Sequence, residues 1–358
     1  MTVLPKKYTL MRKSLIKNRK GKKMFSKIRT AVLVMLVVLA LAGCGAQSSA
    51  ATNPPAAATT ALSPAKLADG AKLKVVATTT IVGDLVKNVA GDLVDLRVVL
   101  PVGADSHSFQ PTPQDIAKVA DANVVFVNGF GLEQFLETMI KDSGTAAPVV
   151  SLADGIKPRT LAPAEHDEDE ESGEHGEADH NHGGVDPHIW VSPANAKIMV
   201  ENVARALAQV DPAHAETYRA NAAAYQQKLA ELDRWVQAEV DKIPAANRKL
   251  VADHKIFGYF TDRYGFEQVG AVVPAFSTGA EPSAQDLAAL QNAVRQSGVK
   301  AIFVGTTVNP ALSSRLADDA GIKLVKIYTE SLGESGSGVE SYLDYIRFDT
   351  TAMVNALK

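Results

Sequence analysis

The stretch from Asp211 to Ile243 constrains the architecture more than any other. Tyr218, Ala222, Tyr225, Leu229, Leu232, Val236, Val240 and Ile243 recur at spacings of three and four, and proline stands only at the ends, as Pro212 and Pro244. That period marks one face of an α-helix. Asp211 is placed as its N-cap and Pro212 in its first turn. Some thirty helical residues extend about 45 Å. This is long for a crossover on one sheet, and long enough to run along two domains as a strut. His214, in its first turn among polar residues, reads as a surface histidine.

On either side, short Val/Leu/Ile-rich runs alternate with amphipathic stretches. Before the long helix, strands are expected at Leu73–Thr78, Leu93–Leu100, Asn123–Val127 and Val149–Leu152, with helices at Thr79–Ala90, Pro113–Val119 and Leu132–Ile140. After it, strands are expected at Lys249–Ala252, Glu267–Val273, Ala301–Val304 and Leu324–Tyr328. The helices there are Phe257–Tyr264, Ser283–Gln296, Pro310–Ala320 and one around Val339–Ala356. Such alternation gives a mostly parallel sheet covered by helices on both faces. The expected fold class is therefore α/β, with a first lobe over residues 71–210, one long rigid helix over 211–244 and a second lobe over 245–358. A chain of 358 residues is long enough for both.

The N-terminus has a different character. Residues 1–43 carry eleven Lys/Arg and no acid. Lys27 and Arg29 precede a twelve-residue apolar run, Ala31–Ala42, too short to span a membrane and built as a signal. Leu41-Ala42-Gly43-Cys44 resembles the lipobox of bacterial lipoproteins, in which cleavage leaves the cysteine to be acylated. Residues 1–43 are thus expected to be a signal peptide, with Met1 or Met24 as its start. Cys44 is the expected lipidation site, and residues 44–70, rich in Ala, Ser, Thr and Pro, a flexible tether to the outer face of the cell membrane. Cys44 is the sole cysteine, so no internal disulfide can form. Without residues 1–43 the chain has 26 basic and 40 acidic residues, a net charge of −14. That charge does not suit nucleic acid; it suits cations.

Glu165–His182 is eighteen residues long and holds nine acids and four histidines, His166, His175, His180 and His182, half of the eight in the chain. Low hydrophobicity and like charge keep such a run from packing, and histidine-rich tracts bind metals. It reads as a low-affinity, metal-capturing loop. Directly after it comes Asp186-Pro187-His188-Ile189-Trp190, an ordered, aromatic-bearing segment. His107, His254 and Glu330 each fall just past the C-terminal end of an expected strand, where open α/β sheets place ligands. Three imidazoles and one carboxylate make a tetrahedral shell normal for Zn²⁺, with Mn²⁺ the weaker candidate. No short pairing such as H-x-x-x-H links these residues, and each alone could equally be a structural hydrogen-bonding histidine.

From Lys72 to about Ala356 the chain resembles the metal-binding solute-binding proteins of ABC importers, the cluster A-I or zinc/manganese uptake family. The matching stretches are Pro101–Pro113, Asn128-Gly129-Phe130-Gly131-Leu132-Glu133, Asp186–Trp190, Asp253–Phe260 with Tyr264-Gly265, Glu281-Pro282-Ser283 and Tyr328–Gly333. The resemblance implies two α/β lobes joined by a rigid helix and metal ligands at His107, His188 and His254. Histidine at position 254 resembles the zinc branch, as does a histidine-rich loop. The departure is at position 330, where the family often has aspartate and some zinc binders use water; glutamate there is expected to ligate. The function so implied is capture of Zn²⁺ outside the membrane, not catalysis. Delivery would be to an ABC permease with its ATPase, by a monomer held at the membrane by its lipid and with no nucleic-acid partner. The alternatives are manganese or iron uptake by the same architecture, or a surface adhesin lipoprotein. A zinc hydrolase would need an open metal position and a general base, and no H-E-x-x-H is present.

Overall fold

The computed structural model describes residues 61–160 and 184–358. The expected signal peptide, Cys44, the tether as far as residue 60, and the acidic loop with His166, His175, His180 and His182 lie outside the described residues.

The first sheet contains β1 (Leu73–Ala77), β2 (Val94–Val98), β3 (Val124–Val127) and β4 (Val149–Ser151) in the order β2-β1-β3-β4. All its pairs are parallel, with Leu73 opposite Val94 and Val75 opposite Val124. The second contains β5 (Lys249–Ala252), β6 (Glu267–Ala271), β7 (Ala301–Gly305) and β8 (Lys323–Ile327), again all parallel, in the equivalent order β6-β5-β7-β8. In each sheet the winding reverses between the first and third strands of the lobe. The crevice beyond the strand ends at such a reversal is where a ligand fits.

Helices cover both faces of each sheet, which is why β3 and β7 are buried along their whole length and carry unbroken apolar runs. In β1 successive side chains serve opposite faces. Val76 joins the outer layer with Met139, against α2 (Pro113–Ala120) and α3 (Leu136–Ser143), while Val75 and Ala77 face the centre. In the second lobe Val251 and Ile302 face outward against α7 (Ala284–Ser297) and α8 (Ala311–Ala320). The inner faces share one core with α1 (Thr80–Ala90), α4 (Pro193–Val210), α5 (Ala215–Val240), α6 (Gly258–Tyr264) and α9 (Tyr342–Leu357). That core is continuous from Leu73 to Leu357. Thr112 and Ser283 close capping boxes at the starts of α2 and α7.

The long helix is α5. It begins one turn later than expected, because Pro212–His214 forms a separate 3-10 turn, and its 26 residues extend about 39 Å. It packs on α4, α1 and α9, so it touches both lobes. The expected surface residue His214 is half-exposed and pairs with Asp211 at 2.8 Å. Helix α4 is an addition to the sequence reading. Its apolar positions Ala196, Met199, Val200, Val203, Leu207 and Val210 carry the helical spacing and are buried. Asp84 on α1 ties three helices together: it accepts the Tyr342 N–H of α9 at 3.0 Å and the Tyr225 hydroxyl of α5 at 3.3 Å. Burial raises the Asp84 carboxyl above its ordinary range. Near the end of the expected tether, Leu62 and Ala65 donate to Gln209 and Val210 at the C-terminus of α4, so this stretch lies against the protein. Among the described residues no helix is long and apolar enough to cross a membrane.

Candidate metal centre

Four segments converge where the C-terminal ends of the two sheets meet. His107 comes from the loop after β2, His254 follows β5 and Glu330 follows β8. His188 is the N-cap of a single 3-10 turn, Ile189–Val191, that leads into α4. One ligand-type atom from each of the four lies within 4.8 Å of all the others. The Nε2 atoms of His107 and His254 each stand 3.2 Å from Nε2 of His188. The Oε1 atom of Glu330 lies 3.2 Å from Nε2 of His107 and 3.3 Å from Nε2 of His254.

The orientation of each group is set by what holds its far side. Asp186 accepts from both the backbone N–H and Nδ1 of His188, at 3.0 and 2.8 Å. Asp253 does the same for His254, at 2.7 and 2.6 Å. An Nδ1–H committed to a carboxylate turns the Nε2 edge of the ring inward, the arrangement usual behind a metal-binding imidazole. Asp105 accepts the backbone N–H of His107 at 2.8 Å. Glu330 gives its Oε2 to Ser106, which donates its N–H at 2.8 Å and its hydroxyl at 2.7 Å. The buried Oε1 is left without an aligned donor. That oxygen faces the Nε2 atoms of His107 and His254, so the four groups together could hold one metal ion.

Burial and neighbouring charge act in opposite senses within the cluster. Burial depresses His188 to about 4, although Asp186 pulls the other way, so its imidazole is neutral. Burial would also depress His254, but Asp253 and Glu330 outweigh it and push it up to about 10. Burial raises the Glu330 carboxyl, yet the His107 and His254 contacts prevail and hold it well below its usual range. The metal-free centre is therefore an imidazolium–carboxylate pair beside a neutral imidazole.

Further residues, to which the sequence reading assigned no role, hold this arrangement. Glu133, half-buried, accepts from Thr78 at the end of β1 and from the backbone of Asn128 and Gly129 at the end of β3. Asn128 then donates to the carbonyl of Pro187, placing the His188 segment. Trp190 donates to the carbonyl of Thr329 at 2.8 Å, joining the His188 and Glu330 segments. The signal for Asp186 and Asp253 was present in the sequence: an acid one or two residues before each histidine. Nothing comparable marked Ser106, and Trp190 was marked only as the aromatic of the His188 segment.

Over residues 75–356 the sequence matches the family described as ZnuA, zinc-uptake complex component A, periplasmic. The chain is 30% identical to the manganese-binding lipoprotein MntA of Halalkalibacterium halodurans, over 92% of this chain and 99% of that one. It is 31% identical to the iron-binding protein YfeA of Yersinia pestis, over 78% and 86%. The fold is similar to that of the periplasmic zinc binding protein TroA from Treponema pallidum, with a TM-score of 0.70 at 25% identity, covering 80% of this chain and 99% of that one. Members of this family are substrate-binding components of ABC transporters, which work with a permease and an ATPase and are not enzymes. The chain belongs to the ZnuA family of metal-binding substrate-binding proteins of ABC importers.

Proposed function

We propose that this protein captures Zn²⁺ between its two lobes, with His107, His188, His254 and Glu330 as ligands, and hands it to an ABC permease for import. The geometry of the four ligand atoms carries this reading. Four of the six separations among the ligand atoms are 3.2–3.3 Å and all lie within 4.8 Å, a cluster compact enough for one four-coordinate ion to touch all four groups. Three nitrogens and one carboxylate oxygen are also a zinc-type donor set, whereas manganese favours oxygen-rich octahedral shells. Manganese or iron uptake through the same four residues is the second reading, favoured by the names of the relatives MntA and YfeA.

In this reading Cys44 carries the lipid, and residues 45–60 bridge from the membrane to the folded part. Relatives named as lipoproteins support that location outside the cytoplasm. His166, His175, His180 and His182 raise the local metal concentration without completing the tight site. The test is a competition titration of metal-stripped protein with Zn²⁺ and Mn²⁺, in wild type and His254→Ala. Tight zinc binding, weak manganese binding and loss of zinc in the variant are expected. A preference for manganese would move the assignment to the second reading, and an indifferent His254→Ala would remove that residue from the ligand set.

A further inference from the structure

The four side chains of the cluster are closed off from solvent, His107 at 3% exposure and the other three at 0%. An ion can reach or leave them only if a wall of the site moves, and the walls are held unequally. The His107 loop is tied to the second lobe by both Ser106 bonds to Glu330 and by the Gly103 N–H on Ser331 at 2.8 Å. The His188 segment is fixed by Asn128 on Pro187, Trp190 on Thr329 and the Tyr342 hydroxyl on Trp190, all buried. The Glu330 segment is fixed by Leu332 on Thr80 and by the Tyr345 hydroxyl on Thr329.

Among the described residues a further wall is formed by residues 274–282, which lie outside every helix and strand. Among the described residues one hydrogen bond joins this segment to the first lobe, from the Thr278 hydroxyl to Asp105 at 2.6 Å. On its own lobe the Ala275 carbonyl accepts from Lys255 at 2.9 Å. Between these two points stands Phe276. Its ring lies 6.2 Å from that of His188, inclined at 59°, and the residue is half-buried, so it reaches from the cluster toward the surface.

We propose that Phe276 is the gating residue for metal passage, with the Thr278–Asp105 bond as the latch of its segment. Swinging this segment out breaks one hydrogen bond across the lobes and uncovers His188. Opening the His107, His188 or Glu330 wall breaks at least two bonds. The inference rests on the cluster being the metal site. A gate has a kinetic signature that a ligand or a packing residue lacks: it slows passage in both directions and leaves the end states alone.

The experiment measures zinc uptake by stopped flow, zinc release into excess chelator, and equilibrium Kd, for wild type, Phe276→Ala, Thr278→Val and His254→Ala. In the Phe276 variant, uptake and release both accelerate by about tenfold, the factor for roughly 1.4 kcal/mol off a barrier, with Kd unchanged. Thr278→Val shifts both rates the same way by less. Unchanged rates in both variants would overturn the gate, as would faster release alone with Kd weakened in proportion, which marks a packing residue. Melting of the metal-free variants identifies any that fail to fold, and Thr278→Val then decides. If His254→Ala holds zinc as wild type does, the site itself is misassigned; if it does not, and the rates stay fixed, only the gate fails.

Discussion

Ser106 holds Glu330 by one oxygen only: its N–H and hydroxyl both donate to Oε2, and Oε1 alone faces the histidines. A carboxylate pinned this way offers a single donor atom, which suits four-coordinate zinc and works against metals that take more oxygens. In Ser106→Ala the hydroxyl bond is lost and the carboxylate can turn. Zinc affinity is expected to fall by about tenfold, a little under the worth of a hydrogen bond to a charged group, with manganese affinity falling less. Paired competition titrations with the two metals test this. An unchanged zinc-to-manganese ratio would mean that Ser106 plays no part in selectivity.

Metal binding is expected to displace a proton. In the metal-free protein Asp253 and Glu330 hold His254 protonated up to about pH 10, and a zinc ligand must be neutral. Close to one proton is therefore released per zinc at pH 7.5, and affinity rises by about tenfold per pH unit toward pH 9. Calorimetry in buffers of different ionisation enthalpy counts the protons. A count near zero would show that His254 is already neutral.

The metal-free protein is expected to be most stable near pH 6.5, as far as these two histidines decide it. His254 has a raised pKa, so its contribution is complete below the unfolded value of about 6.5 and is lost as pH climbs through about 10. His188 is depressed to about 4. The unfolded chain therefore takes up its proton first as pH falls below about 6.5, and stability drops on that side too. Melting temperatures at pH 5, 6.5 and 9 test both limbs, and His254→Gln should flatten only the alkaline one.

Gly258, at the start of α6, leaves room for a close approach. A Cβ there would collide with Oδ2 of Asp186 and with the guanidinium of Arg159, which lies 3.5 Å from that oxygen. Gly258→Ala should push Asp186 away from His188. Zinc affinity is expected to fall by about 10- to 100-fold, the usual cost of losing the partner behind a metal-binding imidazole. Circular dichroism should stay unchanged. An affinity equal to wild type would show that Asp186 does not orient His188.

Much of the site could be read from the sequence because strand ends are. Ala77, Ala252 and Ile327 end apolar runs whose length alone locates them, and His254 and Glu330 follow two of those ends within a few residues. His188 was marked differently, by the change from an acidic run to an aromatic one. What holds the four groups was less visible. Ser106 meets Glu330 across 224 positions and Trp190 meets Thr329 across 139; no local pattern encodes such pairs. Phe276 sits in a segment with no helical or strand period, so the sequence offered no face to assign it. Helix α4 was legible in spacing but stood behind the motif that opens it, at Ser192-Pro193.

The unbroken core from Leu73 to Leu357, with Asp84 bridging α1, α5 and α9, has a consequence for traffic at the transporter. Lobes that share one interior cannot swing apart without exposing it, so loaded and empty copies present nearly the same outline. Empty copies are then expected to compete with loaded ones for the permease. When the binding protein outnumbers its transporter and metal is scarce, adding more of it is expected to slow import instead of speeding it, which transport assays at rising protein-to-permease ratios check.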